Sequence, residues 1–141
     1  MLQLGDLKIR LIMDSHSLID PGGAFGLVPR VLWSQYFTPT EGHLIPMSYN
    51  CLYVETGDHK IVIDNGFGTK MSDKEMARWQ LSRPDGDLVT QLAAMGLHAE
   101  DITLMIDTHL HSDHCSGNTK LAEDGETLLP TFPNAEYVVQ R

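Results

Sequence analysis

Three histidines and an aspartate fall within six residues of this chain, in the run His109-Leu110-His111-Ser112-Asp113-His114. His109 and His111 are one residue apart, so on an extended backbone both side chains leave the chain on the same side. Two imidazoles can then reach one cation without the chain folding back. Asp113 and His114 follow as the chain turns, and they face a second point close by. Such a loop offers two adjacent cation sites. Imidazole nitrogen and carboxylate oxygen suit Zn²⁺ first, and also Mn²⁺, Fe²⁺ or Co²⁺. Imidazole titrates near about pH 6.5 and is a competent neutral ligand at cellular pH. A solvated loop with chance histidines is the plainer alternative. It leaves three crowded rings to take protons against one another.

A pair of divalent cations about 3.5–4 Å apart activates a bridging water as hydroxide at neutral pH, polarises a carbonyl or phosphoryl oxygen, and steadies the leaving oxygen. Asp113, bound to one of the pair, could orient that hydroxide, which makes it the candidate catalytic residue. Hydrolysis is the reaction class that follows.

Other elements must hold this loop. Residues 102–107 (ITLMID) form an almost wholly apolar run that suits a buried strand and delivers the histidines at its end. Residues 8–13 (KIRLIM) alternate as a first strand. Residues 50–56 and 60–64 read as a hairpin around Gly57-Asp58-His59. Ser72 and Glu75 form a capping-box pair, with Met71 placed to staple onto Met76. Asp87 can cap a second helix with Leu88, Leu92 and Met95 on one face. Gly96 suits its left-handed end, and Leu97 the contact after it. Residues 135–140 (AEYVVQ) read as a last strand, with Arg141 ending the sequence inside it. Between 14 and 46 the pattern dissolves into Gly and Pro, yet Phe25, Trp33, Tyr36 and Phe37 are large. That segment is expected to wall a pocket or to plug one end of the core. After Gly117 the chain is expected to be irregular through Glu126. The order mixes α and β without a repeating βαβ period.

Composition bounds the partners. One ordinary domain fits 141 residues, and the net charge is −9. No Lys/Arg patch serves phosphates, so neither nucleic acid nor an anionic membrane is an expected partner. Cys51 and Cys115 are the only cysteines. A reduced compartment is the simpler reading for them. With no signal-peptide pattern at residues 1–10 and no apolar run of spanning length, the expectation is a cytoplasmic protein.

His-Leu-His-Ser-Asp-His resembles the HxHxDH signature of the metallo-β-lactamase superfamily. The strand before it, the turn Cys115-Ser116-Gly117-Asn118 after it, and the stretch Ile61-Val62-Ile63-Asp64-Asn65-Gly66 fit the same pattern. Asn65 stands where relatives usually have Thr. Residues 22–33 and 131–140 resemble the lactonase-like branch, some of whose members open acyl-homoserine lactones. The resemblance implies an αβ/βα sandwich, of which these residues are the N-terminal half: a mixed sheet with covering helices. It implies that His109 and His111 bind a first metal, that Asp113 and His114 bind a second, and that Asp64 shapes the loop without ligating. It implies an ester or lactone as the small-molecule substrate.

The family's remaining ligands, two histidines and a bridging aspartate, lie beyond the motif, and no histidine follows His114. His16, His43, His59 and His98 do not fit the family's patterns, although His16, in an early loop, could lie near the site. Residues 1–141 therefore read as an incomplete N-terminal part that needs a second half or self-association. Two other readings compete. One is an amidohydrolase or phosphoesterase barrel carrying a His-x-His strand end. The other is a non-catalytic fragment that binds metal weakly.

Overall fold

The computed structural model describes residues 1–140. Its main sheet has six strands, in the order β1-β2-β3-β4-β5-β8. The ranges are β1 (Leu2–Leu4), β2 (Leu7–Ile19), β3 (Ile45–Glu55), β4 (Lys60–Ile63), β5 (Leu104–Asp107) and β8 (Glu136–Val139). The first four pair antiparallel in sequence order, while β4, β5 and β8 run parallel. The segment between β4 and β5 carries α3 (Asp73–Arg78) and α4 (Leu88–Ala94). This is an open mixed sheet, so the barrel reading falls. The αβ expectation holds.

Local chemistry explains both helices. The Ser72 hydroxyl accepts from the Glu75 amide, and the Glu75 carboxylate accepts from the Ser72 amide and hydroxyl. Asp87 caps α4 by accepting from the Thr90 amide at 2.7 Å. The helix ends in a Schellman motif: Gly96, at φ 78°, donates to Ala93, and Leu97 donates to Leu92. Leu88 and Leu92 press onto the sheet, where Ile12, Cys51, Tyr53, Val62 and Met105 complete the buried cluster. The other face is different. Leu11, Leu52, Ile63, Ile106 and Val138 lie in register across five strands. None of them is buried, and Leu11 is 64% and Val138 41% exposed. The helices thus cover one face, and a stripe of aliphatic side chains marks the opposite one.

Four expectations need correction. The first strand does not stop at Met13 but runs to Ile19, with a register shift between Met13 and Ser15. The polar run Asp14 to Ser17 hides it, because Asp14, Ser15 and Ser17 are buried, and Asp14 and Ser17 find partners from elsewhere in the chain. Asp14 accepts from Ser15 Oγ at 2.8 Å and from the amides of Phe67 and Leu88 at 3.3 Å. Arg83 stands 3.5 Å from it.

Second, the segment before β3, expected as a long irregular loop, is partly helical. It forms α1 (Pro21–Phe25) and α2 (Arg30–Trp33), and Phe25 stacks on Trp33 at 5.3 Å and tilts against Phe37 at 5.4 Å. Third, β5 begins at Leu104, after a 3-10 turn at Ala99–Asp101, although Ile102 is still fully buried. Fourth, β6 (Thr119–Leu121) and β7 (Leu128–Pro130) form a small hairpin where irregular chain was expected. Asp124 ties its turn by accepting from the Glu126 and Thr127 amides. The last strand ends at Val139, and Arg141 lies outside the described residues. Neither cysteine is in a disulfide. Among the described residues, no helix is long and apolar enough to cross a membrane.

Candidate metal centre

β5 carries the chain outward from the core, and the histidine loop begins two residues past its end. Ser112–Cys115 closes into one short helical turn, α5, entered from His111. The loop brings all four predicted residues to one place. The His109 ring lies 4.0 Å from the His114 ring and 4.7 Å from the His111 ring, centroid to centroid. His114 Nε2 is 3.4 Å from Asp113 Oδ2. His109 and His111 are exposed, and Asp113 and His114 half-buried.

Asp64 organises this cluster from β4's end. It adopts φ 54°, a left-handed conformation that Asp and Asn tolerate better than most residues. Its carboxylate accepts from the Thr108 amide at 2.8 Å and from Thr108 Oγ1 at 2.9 and 3.0 Å. It also takes His114 Nδ1 at 2.8 Å. Because the Thr108 hydroxyl hydrogen goes to Asp64, its oxygen must accept from His109 Nδ1, 3.0 Å away. The hydrogen-bond pattern therefore assigns the proton of both rings to Nδ1, which leaves Nε2 of His109, and Nε2 of His114 beside Asp113 Oδ2, as the nitrogens open to a cation. That is the arrangement in which a metal-binding imidazole donates its other N–H to an outer acceptor. The donor set fits a divalent cation. Among the described residues, no group of three or more His, Cys, Asp or Glu side chains is disposed to hold an ion by itself.

The loop's far side is held as firmly. Asn65 Nδ2 donates to Asn118 Oδ1 at 2.6 Å, and Asn118 Nδ2 donates to Asp107 Oδ2 at 2.7 Å. Burial raises the Asp107 pKa above the usual carboxylate value, partly offset by the Asn118 hydrogen bond. Lys70 Nζ donates to the carbonyls of Ser116 and Thr119. Burial lowers its pKa from the usual amine value. Gly117 sits where a Cβ would come within 2.4 Å of the Asn65 carbonyl oxygen and 2.7 Å of its Oδ1. Gly117→Ala is therefore expected to destabilise the fold by about 1–3 kcal/mol, the usual cost of forcing atoms into packed space. A thermal melt checks it, and an unchanged midpoint would refute the close packing.

Sequence reasoning named the four loop residues and gave Asp64 its shaping role. It missed Thr108, Lys70 and Arg83. Thr108, directly before His109, was open to notice as a hydroxyl beside a ligand. Lys70 and Arg83 carry no local signal, because their acceptors lie far along the chain, at the Ser116 and Thr119 carbonyls and at Gly68 and Asp14. Of the upstream histidines, His16 lies in β2, not in a loop, and bridges to Ser82, and His59 sits in the β3–β4 turn with Nδ1 3.2 Å from Thr103 Oγ1. His43 and His98 are exposed.

The apolar wall also lies elsewhere than expected. A cleft of about 410 Å³ opens beside Ser112 and Asp113, lined by Met47, Tyr49, Phe67 and Trp79. The 25–37 aromatics pack mostly on one another, and only Gly23 and Ala24 of α1 reach the cleft.

The chain is similar to known proteins along this site. Among curated proteins it is 27% identical, over 113 residues, to an N-acyl homoserine lactonase of Bacillus cereus, covering 74% of this chain and 41% of that protein. It is 32% identical over 63 residues to the N-acyl homoserine lactonase AttM of Azorhizobium caulinodans, covering 45% and 20%. Among solved structures, a probable metal-dependent hydrolase from Staphylococcus aureus superposes with a TM-score of 0.85 at 29% identity. That match covers 99% of this chain and 48% of the other. The chain thus spans less than half the length of these relatives. The family model of the Metallo-beta-lactamase superfamily matches residues 44–129, which hold the β3–β4 hairpin, Asp64 and the whole histidine loop, and the chain belongs to that superfamily.

Proposed function

We propose that this chain is the metal-holding half of a hydrolase that opens a carboxylic ester or lactone. His109 and His111 hold one divalent cation, and Asp113 and His114 hold its neighbour. The observation that carries the reading is the pinning of both His109 and His114 through Nδ1, directly or through Thr108, to one buried carboxylate, Asp64. Rings fixed in this way present Nε2 without further ordering cost. The lactonase relatives supply the substrate class. The cations, zinc by preference with Mn, Fe or Co acceptable, supply when bound a lowered water pKa and a polarised carbonyl.

The chain's own residues do the rest. Asp113 presents a carboxylate that lines the cleft and can orient the attacking water and accept its proton. The water oxygen bonds to the acyl carbon, the acyl C–O bond breaks, and the departing alkoxide takes the proton. The remaining ligands come from a second half of the protein, which also covers the aliphatic face of the sheet. A net charge of −9 and two free thiols suit work in the cytoplasm on a small molecule rather than on nucleic acid or a membrane.

The test is metal analysis of the purified full-length protein alongside pH-stat turnover of simple lactones. The expected result is a pair of divalent ions per molecule, with turnover that a chelator removes and Zn²⁺ or Co²⁺ restores. Turnover indifferent to chelation, or a protein without metal after growth in zinc, would overturn the reading.

A further inference from the structure

The histidine loop has two limbs, and they are held by different means. The incoming limb, Thr108 and His109, is fixed by Asp64. The outgoing limb, residues 114–119, lies against the backbone of the turn that follows β4. The Asn65 amide donates to the His114 carbonyl at 2.8 Å, and the Gly117 amide to the Gly66 carbonyl at 3.3 Å. A Cβ on Gly68 would come within 2.7 Å of Gly117 Cα and 3.0 Å of the Ser116 carbonyl oxygen, so no side chain fits between the two segments. This close approach brings Lys70, two residues on, to the carbonyls of Ser116 and Thr119.

Each of those carbonyls has a place in the loop's geometry. Pro130 stands opposite Thr119 in the β6–β7 hairpin and has no N–H to give. The Thr119 carbonyl takes Lys70 Nζ at 2.6 Å instead. Ser116 closes α5, because its amide donates to the Ser112 carbonyl. Its own carbonyl accepts from Lys70. One half-buried ammonium thus holds the residue that ends the turn carrying Asp113 and His114, and ties it to the start of β6. Hydrogen bonds from an ionised donor are about twice as strong as neutral ones, and a lysine at the end of a helical turn suits its free carbonyls.

We infer that Lys70 is a positioning residue for one of the two proposed cations, the one assigned to Asp113 and His114, and that it acts through Ser116. Asp64 differs, because it reaches both cations, through His109 and through His114. The inference rests on the proposed metal pair. The experiment compares the full-length parent, stripped of metal, with Lys70→Met and Lys70→Arg. Methionine keeps an apolar stem and removes the donor, and arginine keeps both charge and donors. Co²⁺ is titrated in against a competing chelator and followed by its visible absorption. The single substitution Asp113→Ala marks which of the two binding steps belongs to Asp113 and His114.

In Lys70→Met that step is expected to weaken about tenfold, the low end of what loss of an outer partner costs, while the other step stays near the parent's. Lys70→Arg is expected to recover most of the loss. Hydrogen exchange of the metal-free protein gives a second readout. The amides of residues 112–119 are expected to exchange faster in Lys70→Met, with β2 and α4 exchanging at the parent's rate. Equal weakening of both steps, with faster exchange along the whole chain, would show that Lys70 only supports the fold, and overturns the inference. Both steps at parent strength overturn it as well. So does Lys70→Arg binding as weakly as Lys70→Met, since charge would then not be what holds Ser116. A parent that takes up no Co²⁺ sinks the proposed metal pair and the inference with it. Loop exchange at the parent's rate in Lys70→Met sinks the inference alone.

Discussion

Alanine in place of His109 is expected to lower ester or lactone turnover of the full-length protein by well over the roughly 10–100-fold that loss of an outer metal partner costs. His109 is the hinge of the cluster. Its ring is the one that approaches both others, at 4.0 Å from His114 and 4.7 Å from His111. Without it, the proposed first cation keeps only His111 from this loop, an exposed side chain whose ring packs edge-on against His109 itself. Asp113→Ala should behave differently in one respect. It leaves His109 and His111 in place, so one cation is expected to remain while the second is lost. Turnover should fall as far, because Asp113 is also the group proposed to steer the attacking water. Metal content and kcat measured on both variants separate the two roles. Either variant turning over at the parent's rate would refute the assignment of the loop.

Much of this site was legible because its logic is local. The four loop residues fall within one turn of chain. Ser72 with Glu75, Asp87, and Gly96 with Leu97 each announce a helix end through neighbours in sequence, and the structure realises all three. What could not be read depends on distant partners. The run from Asp14 to Ser17 is polar, and polar residues ordinarily close a strand. Here the amides of residues 67 and 88 and the guanidinium of Arg83 come to Asp14, and the strand continues. The cleft is hidden for a similar reason. Tyr49, Phe67 and Trp79 belong to a strand, a turn and a helix end, and no periodicity links them. The aromatics at 25–37 are denser in sequence, yet Phe25, Trp33 and Phe37 pack on one another and Tyr36 points to solvent. The β6–β7 hairpin was missed because each strand has only three residues, too few to show an alternating pattern, and its leucines stay exposed.

Asp64→Asn is expected to weaken metal binding about 10–100-fold while leaving the backbone in place. The reasoning separates conformation from chemistry. Asp64 sits at φ 54°, where asparagine is nearly as comfortable as aspartate. The turn into Asn65 and Gly66 should therefore survive. The carboxylate, however, accepts from the Thr108 amide and hydroxyl and from His114 Nδ1, and it offers no hydrogen in return. A carboxamide has one oxygen for these donors and turns an NH₂ toward the rest. If that NH₂ meets His114, the ring must move its proton to Nε2, and the nitrogen meant for metal is blocked. If it meets Thr108, the hydroxyl reverses and the His109 ring loses its acceptor. Either way one imidazole leaves its ligating state. A buried donor left facing a donor also costs about 1–3 kcal/mol, so the thermal midpoint should drop. Asp64→Ala should drop it further, because alanine adds left-handed strain of about 1–2 kcal/mol. Competition of each variant against a chelator for Co²⁺ or Zn²⁺ measures the affinity. Parent-like affinity in Asp64→Asn would show that His109 and His114 do not depend on Asp64 for the tautomer that binds metal.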